Sequence, residues 1–350
     1  MKILVIQQKM IGDVLMSSIL FEPLKKKYPN AEVHYILNSH TYPVVQEHPF
    51  IDKFIFVTPE INASKKLLFN FSKALKKEKY DVVIDAYGKI SSLLMTVFSG
   101  AKVKIGYEKY YTKLLYSNSI KRHKKSIHNT TLAIENRMLL LEPLDVLYEP
   151  VTAKINLLDS EINSAKQFLE EGGVSLDKPL FMISVLGSGM QKTYPFEYMA
   201  KLLDAVVLQI PDAQLLFNYI PSQKEQAKQI FDFCTEQTKN QIKFDVFGKS
   251  LRQFIAITHF CNAMIGNEGG AVNMAKALSK PCFVIFSPQI NKIGWFNEQE
   301  YKQTAVHLSD FVTHGKEERD LAKKDSTPFY KKLTPDLILP ELNNFLKSIL

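Results

Sequence analysis

Short apolar runs separated by helical stretches recur in two series along this chain, and that recurrence restricts its fold more than any other feature. In the first series the runs are Lys2–Ile6, Glu32–Leu37, Phe54–Val57, Val82–Asp85 and Val103–Gly106. Helical patterns fall between them, from Val14 to Tyr28, at Lys65–Lys77 and at Ser91–Phe98. Strands of this kind, alternating with helices, imply a parallel sheet covered on both faces. The second series has strands at Leu180–Val185, Gln214–Phe217, Lys243–Val246, Ala263–Ile265 and Cys282–Phe286. Its helices are expected at Phe196–Leu208 (opened by Pro195), Gln223–Thr235, Leu251–Cys261 and Ala271–Leu278. Two α/β domains are therefore expected, and 350 residues suffice for two cores of ordinary size. The boundary falls within Pro143–Ser160, dividing 1–150 from 151–334, and Pro335–Leu350 forms a terminal helix able to pack back on the first domain. Pro23 is expected to kink the first helix.

Composition narrows the class. The opening apolar run is broken by Gln7, Gln8 and Lys9, too soon for a signal peptide, and no stretch approaches the ~20 apolar residues of a membrane span. A cytoplasmic protein is expected. Cys234, Cys261 and Cys282 lack the spacing of a zinc site or a disulfide framework and read as buried thiols. Residues 1–150 hold 22 Lys and Arg against 14 Asp and Glu, whereas residues 151–350 hold 22 of each, so the whole positive excess lies in the first half. An anionic partner for that half is one reading, and a merely solvated basic surface is the other.

Ligands of open parallel sheets bind where strands lead into helices, and with two sheets the cleft between facing loops is the expected site. Three loops carry suitable residues. Gln7–Asp13 follows the first strand with a single glycine, which argues against a dinucleotide fingerprint. Asp13 there reads first as a helix cap. Gly187–Pro195 brings small residues, Ser188 among them, together with Lys192 at the start of a helix, a composition suited to an anion. Gly266–Gly270 joins a strand to a helix through two adjacent glycines that let backbone approach a phosphate, with Glu268 beside them as a sugar-hydroxyl acceptor or a cap.

With these loops in order, the sequence resembles the ADP-heptose:lipopolysaccharide heptosyltransferases, glycosyltransferase family nine, through nearly its whole length. The resemblance is carried by KILVIQQKMIGDVLMSS, by DAYGKISSLLMTVFSGAKVKIGY, by LGSGMQKTYPFEYMAKLL and most closely by GKSLRQFIAITHFCNAMIGNEGGAVNMAKALSKPCFVIFSP. It implies a GT-B fold, two Rossmann-like domains whose parallel sheets face each other across a cleft, the first binding acceptor and the second donor. It implies inverting, metal-independent transfer of heptose from ADP-heptose to an anionic lipid-linked core saccharide, with no cofactor beyond that co-substrate. Asp13 then takes the place of the base, which displaces the capping role. Lys192, Ser188 and the segment Gly269, Gly270 and Ala271 take the places that hold the leaving diphosphate, and Glu268 and Asn273 complete the donor site. Lys121, Arg122 and His128 are the acceptor candidates, with His128 equally suited to a structural role at the helix start. The basic run Lys121–Lys125, more than Lys25–Lys27, suits peripheral contact with the inner membrane face. Nucleic acid is not expected, because the basic residues lack aromatic interleaving.

The sequence departs from the family at Glu268, Gly269 and Asn273, where Asp, Ser or Thr, and His are usual. Glu225 is the nearest counterpart of a further donor acid. These departures leave open a relative that uses another nucleotide sugar, or an inactive member that binds saccharide or a partner.

Overall fold

The computed structural model describes residues 1–112, 114–297 and 302–349. The chain forms two units, Met1–Asn156 and Leu157–Leu350, so the division falls a few residues beyond Pro150.

The first unit is built on strands β1 (Lys2–Ile6), β2 (Glu32–Asn38), β3 (Lys53–Val57), β4 (Val82–Asp85), β5 (Val103–Tyr107) and β6 (Asn118–Ile120). They form one parallel sheet in the order β3-β2-β1-β4-β5-β6. Ile3, Leu4, Val5 and Ile6 are all fully buried, as a central strand covered on both faces requires. The first helical stretch is two short helices, α1 (Ile11–Ser17) and α2 (Phe21–Lys27), with a 3₁₀ turn between them at Ser18–Leu20. Pro23, in the first turn of α2, cannot donate to an earlier carbonyl and marks the restart after that break. Helices α3 (Ile90–Phe98) and α4 (Leu132–Met138) follow β4 and β6.

The second unit has β7 (Leu180–Ser184), β8 (Gln214–Phe217), β9 (Ala263–Asn267), β10 (Cys282–Ile285) and β11 (Gln303–Val306), parallel and ordered β11-β10-β9-β7-β8. The expected strand at Lys243–Val246 is instead a turn, joined to the sheet by one bridge between Leu215 and Ile242. Strand β11, too polar in its first residues to stand out, completes the edge. The helices relevant to the site are α5 (Phe196–Gln209), α6 (Gly270–Ala277) and the terminal α7 (Pro335–Ile349). Helix α7 buries Ile338, Leu342, Phe345 and Leu346 in this second unit's own core, with Phe345 against Phe283. Each such side chain contributes about 1.5–3 kcal/mol, so the apolar face that suggested packing on the first domain is satisfied within the second. All three cysteines are free and buried.

Strand order locates the binding edges. In each sheet the order reverses once, between β1 and β4 in the first and between β7 and β9 in the second. At such a point the two neighbouring loops diverge to opposite faces and leave a crevice at the carboxyl ends of the strands.

Candidate active site

In the first unit the crevice is flanked by Gln7–Met10 after β1 and Ala86–Lys89 after β4. The backbone N–H groups of Gln7 and Asn38 donate to Ile36 and Gln8 carbonyls, tying the first loop to β2. Asp13 is the third residue of α1, which begins at Ile11 and has no side-chain cap. Its carboxylate therefore does not cap the helix. Oδ1 instead accepts a 2.8 Å hydrogen bond from Nη2 of Arg137, a nearly buried residue of α4. Arg137 is held in turn, donating through Nε to Ser17 Oγ at 3.0 Å and through Nη1 to the Ala133 carbonyl at 2.9 Å.

The same helix organises the basic segment. Glu135 is buried and accepts from Ser126 Oγ and from the N–H groups of Ile127 and His128. Burial pushes its carboxyl up, but these donors outweigh it and hold the group below its ordinary value. Asn136 exchanges two hydrogen bonds with the backbone of His123. Three consecutive residues, Glu135, Asn136 and Arg137, thus position the 123–130 segment and Asp13 together. Sequence reasoning passed over them because a polar run within a short helix normally faces water.

The acceptor candidates are distributed around this helix. Lys121 is exposed, and the Arg122 guanidinium lies 3.8 Å from the centre of the Tyr107 ring. The His128 ring stacks on Tyr148 with centroids 3.8 Å apart and planes 9° from parallel, so one ring face is occupied. Lys25 and Lys26 pair with Asp52, Glu22 and Glu149, which makes that helix face structural.

In the second unit the loops after β7 and β9 meet. The segment 187–195 is a folded turn rather than an open anion loop. The Gly187 N–H donates to Thr193 Oγ1, and a Cβ at Gly187 would stand 2.2 Å from the Lys192 carbonyl. The Gln191 carbonyl accepts from Ser287 and Ser326 hydroxyls and from the Gln289 side chain. Ser188 lies on the exposed side of this turn. Lys192 is thereby held with its Nζ 3.3 Å from Glu268 Oε1. The contact lacks hydrogen-bond geometry, and Oε1 has no hydrogen-bond partner among the described residues although it is buried.

Asn267 joins the two loops and was missed from the sequence, where it reads as an ordinary turn residue. Strand β9 runs through it, and its buried side chain accepts from the Tyr194 N–H at 2.7 Å and donates to the Ser184 and Val185 carbonyls. Gly266 lies inside the strand, with φ +131° and a would-be Cβ 2.4 Å from the Ser184 carbonyl oxygen. It serves close packing of β9 on β7, not the turn. Gly269 precedes α6 in extended backbone, and a Cβ there would meet nothing within 4 Å. The first N–H groups of α6, from Gly270 and Ala271, precede its internal hydrogen bonding and carry the positive end of its dipole. Glu268, Gly269 and Asn273 line one pocket with Lys276, Phe286, Trp295 and Phe296. Glu225 is exposed at the start of the Lys224–Phe233 helix and is not among that lining. Among the described residues no cluster of His, Cys, Asp or Glu is placed to hold a metal ion.

Comparison with known proteins adds three findings. Residues 68–320 match the sequence profile of glycosyltransferase family 9 (heptosyltransferase). Lipopolysaccharide heptosyltransferase 1 of Campylobacter coli is 22% identical over 340 residues, spanning 92% of this chain and 97% of that protein. Among solved structures, a family 9 glycosyl transferase from Veillonella parvula superposes with a TM-score of 0.83 at 17% identity, covering 99% of this chain and 97% of its own. The E. coli ADP-heptose lps heptosyltransferase II does so with a TM-score of 0.72 at 18% identity, covering 99% and 98%. The two parallel-sheet units are those of the GT-B fold.

Proposed function

Because the chain belongs to glycosyltransferase family 9, the heptosyltransferases, we propose that it transfers heptose from ADP-heptose to an anionic, lipid-linked saccharide of the lipopolysaccharide core. The relatives are named for lipopolysaccharide heptosyl transfer, and one for an ADP-heptose donor. The single observation that carries the reading is the meeting of Lys192 and Glu268 at 3.3 Å beside the start of α6, on the switch point of the second sheet.

A nucleotide diphosphate at the N–H groups of Gly270 and Ala271 would lie against a cation and a helix N-terminus. Lys192 would share its charge between that diphosphate and Glu268, which otherwise would repel each other. Glu268 Oε1, which accepts no hydrogen bond among the described residues, is an acceptor for a sugar hydroxyl, and Asn273 adds a neutral donor and acceptor in the same pocket.

Transfer forms a bond from an acceptor hydroxyl oxygen to the anomeric carbon and breaks the bond from that carbon to the phosphate oxygen. The bonding pair leaves with ADP, where Lys192 and the helix N-terminus stabilise it without a metal. The hydroxyl proton passes to Asp13, with inversion at the anomeric carbon. Arg137 engages only Oδ1 and so orients the carboxylate with Oδ2 free of that contact. The basic first unit, with Lys121, Arg122 and His128, receives the anionic acceptor. The protein then works from the cytoplasm in peripheral contact with the inner membrane.

A second reading, another nucleotide sugar, draws on one observation: Gly269 leaves open space where family members carry a hydroxyl. Thermal shift and turnover against ADP-heptose, other ADP-sugars and UDP-sugars test both. ADP-heptose at a hundred times its Kd is expected to stabilise the fold by about 2.7 kcal/mol. Stabilisation by a different donor alone would establish the second reading, and none by any would sink both.

A further inference from the structure

Strands β1, β4, β5 and β6 are neighbours in one parallel sheet, so the segments leaving them lie along one edge. Three of those segments place a lysine directly before an exposed apolar residue: Lys9-Met10, Lys89-Ile90 and Lys109-Tyr110. The fourth carries Lys121, Arg122, Lys124 and Lys125. Met10 is 64% exposed, Ile90 70%, Leu114 96%, and Tyr110 completely. Single exposed apolar residues need no explanation, but their recurrence beside cations on one edge does.

The segment after β5 is braced so that its apolar tips stay outside. Thr112 is buried, its Oγ1 accepting from the Lys109 N–H and donating to the Tyr107 carbonyl. Tyr116 is buried too, with its hydroxyl donating to Asp85 Oδ2 at 2.7 Å and its ring filling the space above Gly106. Between these anchors Tyr110, Tyr111, Leu114 and Leu115 are exposed. Lys109 Nζ donates to the Gly88 carbonyl, and Ser91 Oγ donates to Gln8 Oε1, which fastens the three segments to one another. Among the described residues of this edge Glu108 is exposed and Asp13 partly exposed, whereas Asp85 and Glu135 are buried.

We propose that this edge docks on an anionic phospholipid bilayer, with Tyr110, Tyr111 and Leu114 entering the headgroup region and the lysines meeting lipid phosphates. Tyrosine favours that interface, and clustered cations favour an anionic leaflet. No helix among the described residues is long and apolar enough to cross a membrane. The surface would bring the end of the sheet that carries Asp13 to a lipid-linked acceptor; that purpose, not the binding itself, rests on the function proposed above.

Co-sedimentation of the full chain with vesicles tests it, using phosphatidylcholine alone and phosphatidylcholine with phosphatidylglycerol, at low and high salt. Binding is expected only with the anionic lipid, falling steeply with salt. The double variant Tyr110→Ser/Leu114→Ser is expected to bind at least tenfold more weakly while melting at the parent temperature. Its kcat/KM on a delipidated acceptor should match the parent and fall only on acceptor embedded in vesicles. Equal vesicle binding by parent and variant, no binding by the parent, or concentration-dependent dimerisation abolished by the variant would overturn the proposal. Soluble-acceptor turnover without vesicle binding would sink the docking surface alone; vesicle binding without turnover of any acceptor would sink the reaction and leave the surface standing.

Discussion

Arg137 Nη2 donates to Asp13 Oδ1 at 2.8 Å, joining the first turn of α1 to the last turn of α4. The pair makes the orientation of the candidate base depend on a helix far away in sequence. Asp13→Asn keeps the shape and removes the proton acceptor, so transfer is expected to fall by about 10²–10⁴-fold with donor affinity unchanged. Arg137→Met is expected to lower kcat as well and to cost about 1–3 kcal/mol of stability, with Arg137→Lys recovering part of the turnover. Steady-state kinetics and urea unfolding check these. Full turnover in the Asp13 variant would remove it from the reaction.

Asn267 ties the loops after β7 and β9 together. Replacement by Leu deprives the Tyr194 N–H and the Ser184 and Val185 carbonyls of their partner. A loss of about 3 kcal/mol is expected, since each buried polar group left alone costs about 1–3 kcal/mol. ADP affinity should drop with it, because the turn holding Lys192 is no longer fixed against Glu268. Calorimetric titration with ADP would show no change if the two loops were independent.

Two glycines three residues apart should respond oppositely. Gly266→Ala forces a Cβ onto the Ser184 carbonyl at a backbone conformation unfavourable to L residues, and a cost of about 2–4 kcal/mol is expected. Gly269→Ser enters open space in extended backbone and should leave stability within about 0.5 kcal/mol, while its hydroxyl tightens diphosphate binding. Melting temperatures and ADP titration of the two variants decide the contrast.

His307 supplies a pH test of the second unit. It is buried near His314, Asp310 and Lys292, and burial, aided by His314, pushes its imidazole down to about 4. An unfolded histidine titrates near 6.5. Between those values the unfolded chain takes up the proton and the folded chain does not. Its contribution is therefore complete above about pH 6.5 and lost as the pH falls toward 4, at up to about 1.4 kcal/mol per unit. Ring-proton NMR should show His307 neutral at pH 5, and His307→Gln should flatten the acid side of the stability profile. A titration midpoint near 6.5 in the folded protein would refute this.

Legibility followed the range of the interaction. Strand runs such as KILVI are visible because burial on both faces demands consecutive apolar residues, whereas the three-residue β6 and the polar start of β11 carry no such mark. Lys243–Val246 reads as a strand but forms a turn, because an apolar alternation that short fits a bridged turn equally well. At the candidate site, Lys192, Glu268 and the glycines of the turn stand out by their local pattern, whereas Asp13 reads locally as a helix cap and takes the place of a base only through the family resemblance. Glu135, Asn136, Arg137 and Asn267 do not stand out, because their partners are remote and a buried polar residue looks in sequence like an exposed one.

By itself, then, the sequence determined two parallel α/β units, a basic first unit and the strand-to-helix loops proposed for the site, since periodicity, charge and strand-to-helix junctions are local properties. The tertiary structure alone decided that Asp13 pairs with Arg137 instead of capping α1 and that Asn267 locks the Lys192 turn beside Glu268. It also decided that Gly266 serves the sheet while Gly269 faces open space. Those outcomes depend on which buried groups meet across the fold, because a hydrogen-bonding group removed from water needs a partner wherever in the chain that partner lies.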